Sequence, residues 1–287
     1  MKNASKSDEI LSRIQVQVRV RNTPSWSPVK PKLIQRSSSA SFSSISKDIS
    51  CIQIPSTNTL QIVHPEGKKP AKEFTFDALY SPVDSQEDIY KSGAQSLIDK
   101  CLEGYNGCIF VYGQTASGKT HTMQGSQSHQ ERGLIQRSVE HIVNHINSMA
   151  GKPKKSPTGQ RITTEFSVKA SYLEIYQENL KDLLCNNDAQ AELRIRMDPD
   201  SLTGRELHVQ GITERSVVEL NDYMKILEIG SKNRTVAETN MNEVSSRSHA
   251  VLTLTIEQIQ YCEQTQTVGN RKRSKIHFID LAGTIRI

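Results

Sequence analysis

The sequence has no run of about 18 apolar residues, so no membrane-spanning helix is expected. It has no CxxC pair. Its five cysteines, at positions 51, 101, 108, 185 and 262, are scattered, which argues against a disulfide framework or a zinc site and for reduced intracellular thiols. The opening "MKNASKSDEILSRIQVQVRV" lacks the apolar stretch of a secretory signal. There is no internal repeat. Charge of neither sign dominates: a net +5 permits an acidic partner, but on charge alone a mildly basic solvated surface is the better reading. What remains is a chain of 287 residues, 35% hydrophobic and 23% charged, enough for one large domain or two small ones with a sizeable core.

Strand and helix patterns alternate along it. Ile14 to Val20, "IQVQVRV", alternates as a half-buried strand does. Residues 22–48 hold three prolines and "RSSSASFSSISKD", the composition of a solvated inserted loop. "CIQIP" and "LQIVH" read as a strand pair, and "KEFTFDALY" as another strand. Ser85 to Leu102 has helical spacing. "CIFVYG", Cys108 to Gly113, is a continuous apolar run, as in a strand buried on both faces. Leu134 to Met149 reads as helix, "GKPKKSPTGQ" as a basic loop, "TEFSVKASYLEIY" as strand, "NLKDLL" as helix and "YMKILEIGSKNR" as helix. "AVLTLTIEQIQ" and "IHFID" read as strands. The class expected is α/β.

"GQTASGKT", from Gly113 through Gln114, Thr115, Ala116, Ser117, Gly118 and Lys119 to Thr120, meets the pattern G-x-x-x-x-G-K-[S/T]. Glycines let the backbone curl so that successive N–H groups point inward at phosphate oxygens. Lys119 supplies a mobile cation for the β/γ-phosphates and Thr120 a hydroxyl for Mg²⁺. A strand-like run in front and a helix behind fit such a loop. Asp280 closes the apolar run "IHFI", where α/β sheets place ligands, and Asp280-Leu-Ala-Gly283 is a D-x-x-G pattern. Its Asp could reach Mg²⁺ through water and its Gly amide the γ-phosphate. "NEVSSRSH", Asn242 to His249, is polar and precedes a strand; its serines could reach Mg²⁺ and the attacking water.

Together "GQTASGKT", "NEVSSRSH" and "DLAG" fall in the order and spacing of the kinesin motors, and the chain resembles that family over about residues 13 to 284. "RVRN", "FTFD", "YNGCIFVYG", "SYLEIYQENLKDLL" and "HVQGITE" are similar to further kinesin segments. The resemblance implies a P-loop NTPase with a central β-sheet flanked by helices on both faces. Residues 1–12 are then a tail, 24–50 an inserted loop and 285–287 a non-matching end. It also implies that Arg19, Arg21 and His121 lie by the adenine and ribose. Thr120 and Ser246 would reach Mg²⁺ directly and Asp280 through water, while Asn242 and Ser245 would handle the γ-phosphate and water. Arg247 would form half of an ion pair between the two switch loops. The nucleotide is expected to be ATP; no N-K-x-D guanine-reading motif occurs. The partner expected is the microtubule, with Arg194, Arg196 and Arg205 in a secondary tubulin-contacting lobe. Self-association would use a coiled-coil stalk that these residues do not contain, and neither nucleic acid nor membrane is expected as a partner. Localisation would be cytoplasmic, on the microtubule cytoskeleton.

Two departures qualify the resemblance. Asn22 stands where kinesins usually carry proline after R-x-R. Ile285 stands where they carry the Glu of D-L-A-G-S-E, so Arg247 lacks its expected partner and hydrolysis is expected to be impaired. An interior strand and the helices over one sheet face are also expected from sequence beyond Gly283, which suggests a motor cut off after its second switch. His141 and His145 have a metal-capable spacing, but Ile142 replaces the Glu of the zincin pattern, and a surface or packed pair is the better reading.

Overall fold

The structure is a computed structural model. It describes residues 14–21, 51–64, 69–126, 128–149, 152–155, 159–185, 192–198, 207–240, 247–265 and 267–283. Its contacts divide the chain into two units, Met1–Ser85 and Gln86–Ile287.

In the first unit β1 (Gln17–Arg19), β2 (Ile52–Gln53), β3 (Thr59–Ile62), β4 (Lys72–Thr75) and β5 (Ala78–Tyr80) form two small sheets. β1 runs parallel to β5, and β2, β3 and β4 form an antiparallel meander. The single strand expected over "KEFTFDALY" is two. The Phe76 amide donates to Asn58 and the Asp77 amide to Val16, so the chain changes partners there. Val20, Leu60 and Leu79 form the core, with Val18, Ile54 and Phe76 packed against it.

The second unit opens with α1 (Gln86–Ile89), a π-turn over Tyr90–Ala94, and α2 (Gln95–Glu103), which stops at Gly104 in the left-handed region. β6 (Gly107–Val111), α3 (Lys119–Met123) and α4 (Leu134–Met149) follow. Then come β7 (Lys154–Lys155), β8 (Arg161–Tyr176), β9 (Asn179–Asp182), β10 (Arg194–Met197), β11 (Leu207–Gln210) and β12 (Arg215–Ser216). α5 (Leu220–Asn240), β13 (His249–Cys262) and β14 (Thr267–Asp280) complete it. β12, β8, β13, β14 and β6 are neighbours in that order; β7 and β9 also pair with β8, and β10 and β11 form a separate ribbon. β8, β13 and β14 are antiparallel, whereas β14 and β6 are parallel.

One face of the long strands carries the core. Register aligns Tyr172, Leu252 and Phe278, then Ala170, Leu254 and Ile276, and all six are buried. At the end of the same face lie Glu174, Ala250 and Asp280. Helices meet the sheet on this face. Ser274 Oγ donates to the Cys101 carbonyl of α2 at 2.6 Å, and Gln258 donates to the Leu102 carbonyl. Gly230 of α5 lies so close to Tyr172 that a Cβ there would fall 2.3 Å from the ring. The α/β class with a central sheet flanked by helices is therefore as expected.

Three further local expectations, in the second unit, fail. "NLKDLL" is not a helix. Gln177 and Glu178 both have positive φ, so the chain reverses in a two-residue turn and residues 179–182 return along β8. Burying Leu183 and Leu184 completely outweighs the local helical spacing. "CIFVYG" is not buried on both faces. Among the described residues β6 ends the strand order beside β14, and Phe110 is 54% and Tyr112 71% exposed. Within the basic loop "GKPKKSPTGQ", Lys154 and Lys155 form the short strand β7 against β8.

Candidate functional site

Val111 at the end of β6 pairs with Asp280 at the end of β14, so "GQTASGKT" and "DLAG" leave neighbouring strands side by side. The first loop curls as its composition demands. Ala116 has φ 62°, Gly118 has φ 99° and caps α3, and a Cβ at Gly113 would lie 2.5 Å from Ser117 Oγ. Lys119 Nζ folds back to the carbonyls of Gly113 and Gln114, at 3.1 and 3.0 Å.

The two loops touch at two points. Thr120 Oγ1 donates to Asp280 Oδ2 at 2.7 Å. Gly283 lies against Thr115: a Cβ there would be 2.3 Å from Thr115 Oγ1 and 2.9 Å from its N and Cα. Asp280 is buried, and its Oδ1 accepts no hydrogen bond among the described residues. A buried carboxylate oxygen left over beside a threonine hydroxyl is a hard-oxygen donor set that suits Mg²⁺.

The described part of "NEVSSRSH" reaches the same place along β13. Arg247 is exposed. Ser248 is wholly buried and donates to Glu174 Oε1 at 2.7 Å. Arg234 Nε lies 3.3 Å from that same Glu174 oxygen, and its Nη2 donates to Ser248 Oγ at 3.2 Å. His249 Nδ1 accepts from the Ala282 amide at 3.0 Å. Gln124 donates to the Tyr172 hydroxyl, and burial pushes that phenol above its usual range, with the Asp280 charge adding to the rise.

Of the candidate residues, the structure brings together Gly113 to Thr120, Asp280 and Gly283. Asn242, Ser245, Ser246 and Arg205 lie outside the described residues. His121 is half exposed and pairs with Glu131 at 3.2 Å. Arg19 and Arg21 belong to the first unit, Arg19 on β1 opposite Tyr80. His141 is no ligand here: its Nδ1 lies 2.8 Å from the Tyr90 hydroxyl and its Nε2 3.2 Å from Asp99. No cluster of three or more metal-capable side chains occurs among the described residues. Sequence reasoning assigned nothing to Glu174 or Arg234. A lone acid inside the apolar run "SYLEIY" was the available signal, since a carboxylate on a buried strand needs a partner.

The family model described as the kinesin motor domain matches residues 29–287. The chain belongs to the kinesin motor domain family. Kinesin-like protein KIF1A of Rattus norvegicus is 38% identical over 251 residues, covering 84% of this chain and 14% of the relative. Kinesin heavy chain of Drosophila melanogaster is 38% identical over 217 residues, 75% of this chain and 20% of its own length. Kinesin-like protein Klp68D of the same fly is 40% identical over 228 residues, 79% of this chain and 26% of the relative. The chain thus spans a small part of these relatives. A solved structure of a fast kinesin superposes with a TM-score of 0.73 at 28% identity, covering 96% of this chain and 67% of that one.

Proposed function

We propose that the chain is an ATP-dependent microtubule motor domain that binds and hydrolyses Mg·ATP. The observation that carries this reading is the contact of the two phosphate-facing loops, Thr120 on Asp280 and Gly283 against Thr115, in a kinesin-family chain. Lys119 would leave the loop carbonyls for the β/γ-phosphates, and the Gly283 amide would meet the γ-phosphate. Thr120, Ser246 and Asp280 would hold Mg²⁺, which neutralises charge on the transferred phosphoryl group. Asn242 and Ser245 would orient the attacking water. Arg19, Arg21 and His121 would border the adenine and ribose. Arg194 and Arg196, on an exposed strand, would meet the acidic tubulin surface as secondary contacts. The domain is read as residues 13–284, working on cytoplasmic microtubules.

A second reading is favoured by one residue. Ile285 stands where the family resemblance places an acid, so the partner that the resemblance implies for Arg247 is not there. The chain would then bind nucleotide or tubulin and turn ATP over slowly, without motility. ATP turnover with and without microtubules separates the two. Strong stimulation supports the motor, a bound but slowly hydrolysed nucleotide supports the second reading, and no nucleotide binding overturns both.

A further inference from the structure

We infer that His249 is a positioning residue that holds the Asp280–Gly283 loop where it can distinguish ATP from ADP. This rests on the nucleotide-site reading above. Gly283 is fixed from one side by its approach to Thr115, which leaves no room even for a methyl group. The amide before it is fixed from the other side, because Ala282 donates to His249 Nδ1 at 3.0 Å. The nitrogen that accepts carries no proton, so the imidazole acts through a lone pair and not through charge.

His249 is itself well anchored. The preceding Ser248 is wholly buried and bonded to Glu174 and Arg234, and the following Ala250 sits in register between Glu174 and Asp280. The loop is thus tied through one side chain to the rigid start of β13. With Ile285 in place of an acid, a charged link from Arg247 to the second loop is not available at that position. The His249–Ala282 hydrogen bond is then the described tie between the "NEVSSRSH" and "DLAG" segments. The Gly283 amide is placed for a γ-phosphate only while Ala282 is held, and ADP offers no γ-phosphate to be sensed.

The test uses residues 1–287 with Mg·ADP and the Mg complex of the β,γ-imido analogue of ATP, each titrated by calorimetry, and thermal unfolding alongside. His249→Ala should lower affinity for the imido analogue about tenfold, the worth of one backbone hydrogen bond to a charged oxygen, with ADP affinity and unfolding temperature unchanged. His249→Asn, whose Oδ1 can stand in for Nδ1, should restore the analogue's affinity. If His249→Ala does not unfold cooperatively, His249→Leu fills the space without an acceptor and carries the same comparison. An unchanged preference, an equal loss for both nucleotides, or failure of Asn to rescue overturns the inference while leaving the nucleotide site intact. A wild-type chain that binds ADP without preferring the analogue does the same. A wild-type chain that binds neither nucleotide overturns the site reading itself, and this inference with it.

Discussion

A methyl group at position 283 would have nowhere to go, because Thr115 backbone atoms lie 2.9 Å from where it would stand. Gly283→Ala should push the second loop off the first. Misplacement of about 1 Å at a reacting centre can cost on the order of 10²-fold in rate, so turnover measured by phosphate release should fall by about that much with the fold intact. Lys119→Ala removes the cation proposed to meet the β/γ-phosphates. Hydrogen bonds to charged groups contribute roughly 1.5–3 kcal/mol, so calorimetry should register a loss of about 10–100-fold in ATP affinity. Unchanged affinity would count against the site. Ile285→Glu tests the opposite direction. Supplying a positioned acid should raise turnover by about 10²–10⁴-fold, and no gain would mean that Arg247 works without it. At this scale the loops were legible because their residue types are chemically restrictive. His249, Glu174 and Arg234 were not, because their partners are backbone and side chains brought close only by the strand register.

Packing within the second unit makes two elements sensitive. Gly230 of α5 approaches the Tyr172 ring so closely that a Cβ must displace it, and Tyr172 is among the most buried residues of β8. Gly230→Ala should cost about 1–3 kcal/mol by overpacking, and lower the unfolding temperature by about 2–10 °C in calorimetric scans. On β14, His277 is held at Nδ1 by Thr253 Oγ1 at 2.9 Å, and burial lowers its pKa below the usual value, with Lys275 adding to the effect. The unfolded chain therefore binds the proton more readily than the folded one. Stability from this group is present above about pH 6.5 and is lost as pH falls through the unfolded value toward the folded one. His277→Gln should flatten that part of a plot of unfolding temperature against pH. The strands β8 and β13 and the helix Leu134–Met149 were readable from periodicity, the helix to the residue, whereas only the last five residues of β14 were. The misread element, residues 179–182, follows a turn whose positive φ angles fall on Gln and Glu, which carry no turn signal.

At the scale of the whole chain, β6 is the last strand of its sheet among the described residues, with Phe110 and Tyr112 exposed beside it. An edge of this kind invites pairing with another chain. Sedimentation velocity should therefore show association that grows with concentration, and Phe110→Lys should reduce it; ideal monomeric behaviour of the wild type at all concentrations would contradict this. The family's central sheet was legible in the sequence, but not which strand ends it among the described residues, because a continuous apolar run looks alike in a central strand and in an end strand. The pairing of β6 with β14 also sets a clock for biosynthesis. Asn106, just before β6, hydrogen-bonds to Lys275, 169 residues later. At roughly 5–20 residues per second on the ribosome, that separation puts the synthesis of β6 about 10–30 s before that of its partner. The strand that leads into the 113–120 loop therefore waits, apolar and without β14, through that interval, and nascent-chain crosslinking should find chaperones on residues 107–112 throughout it.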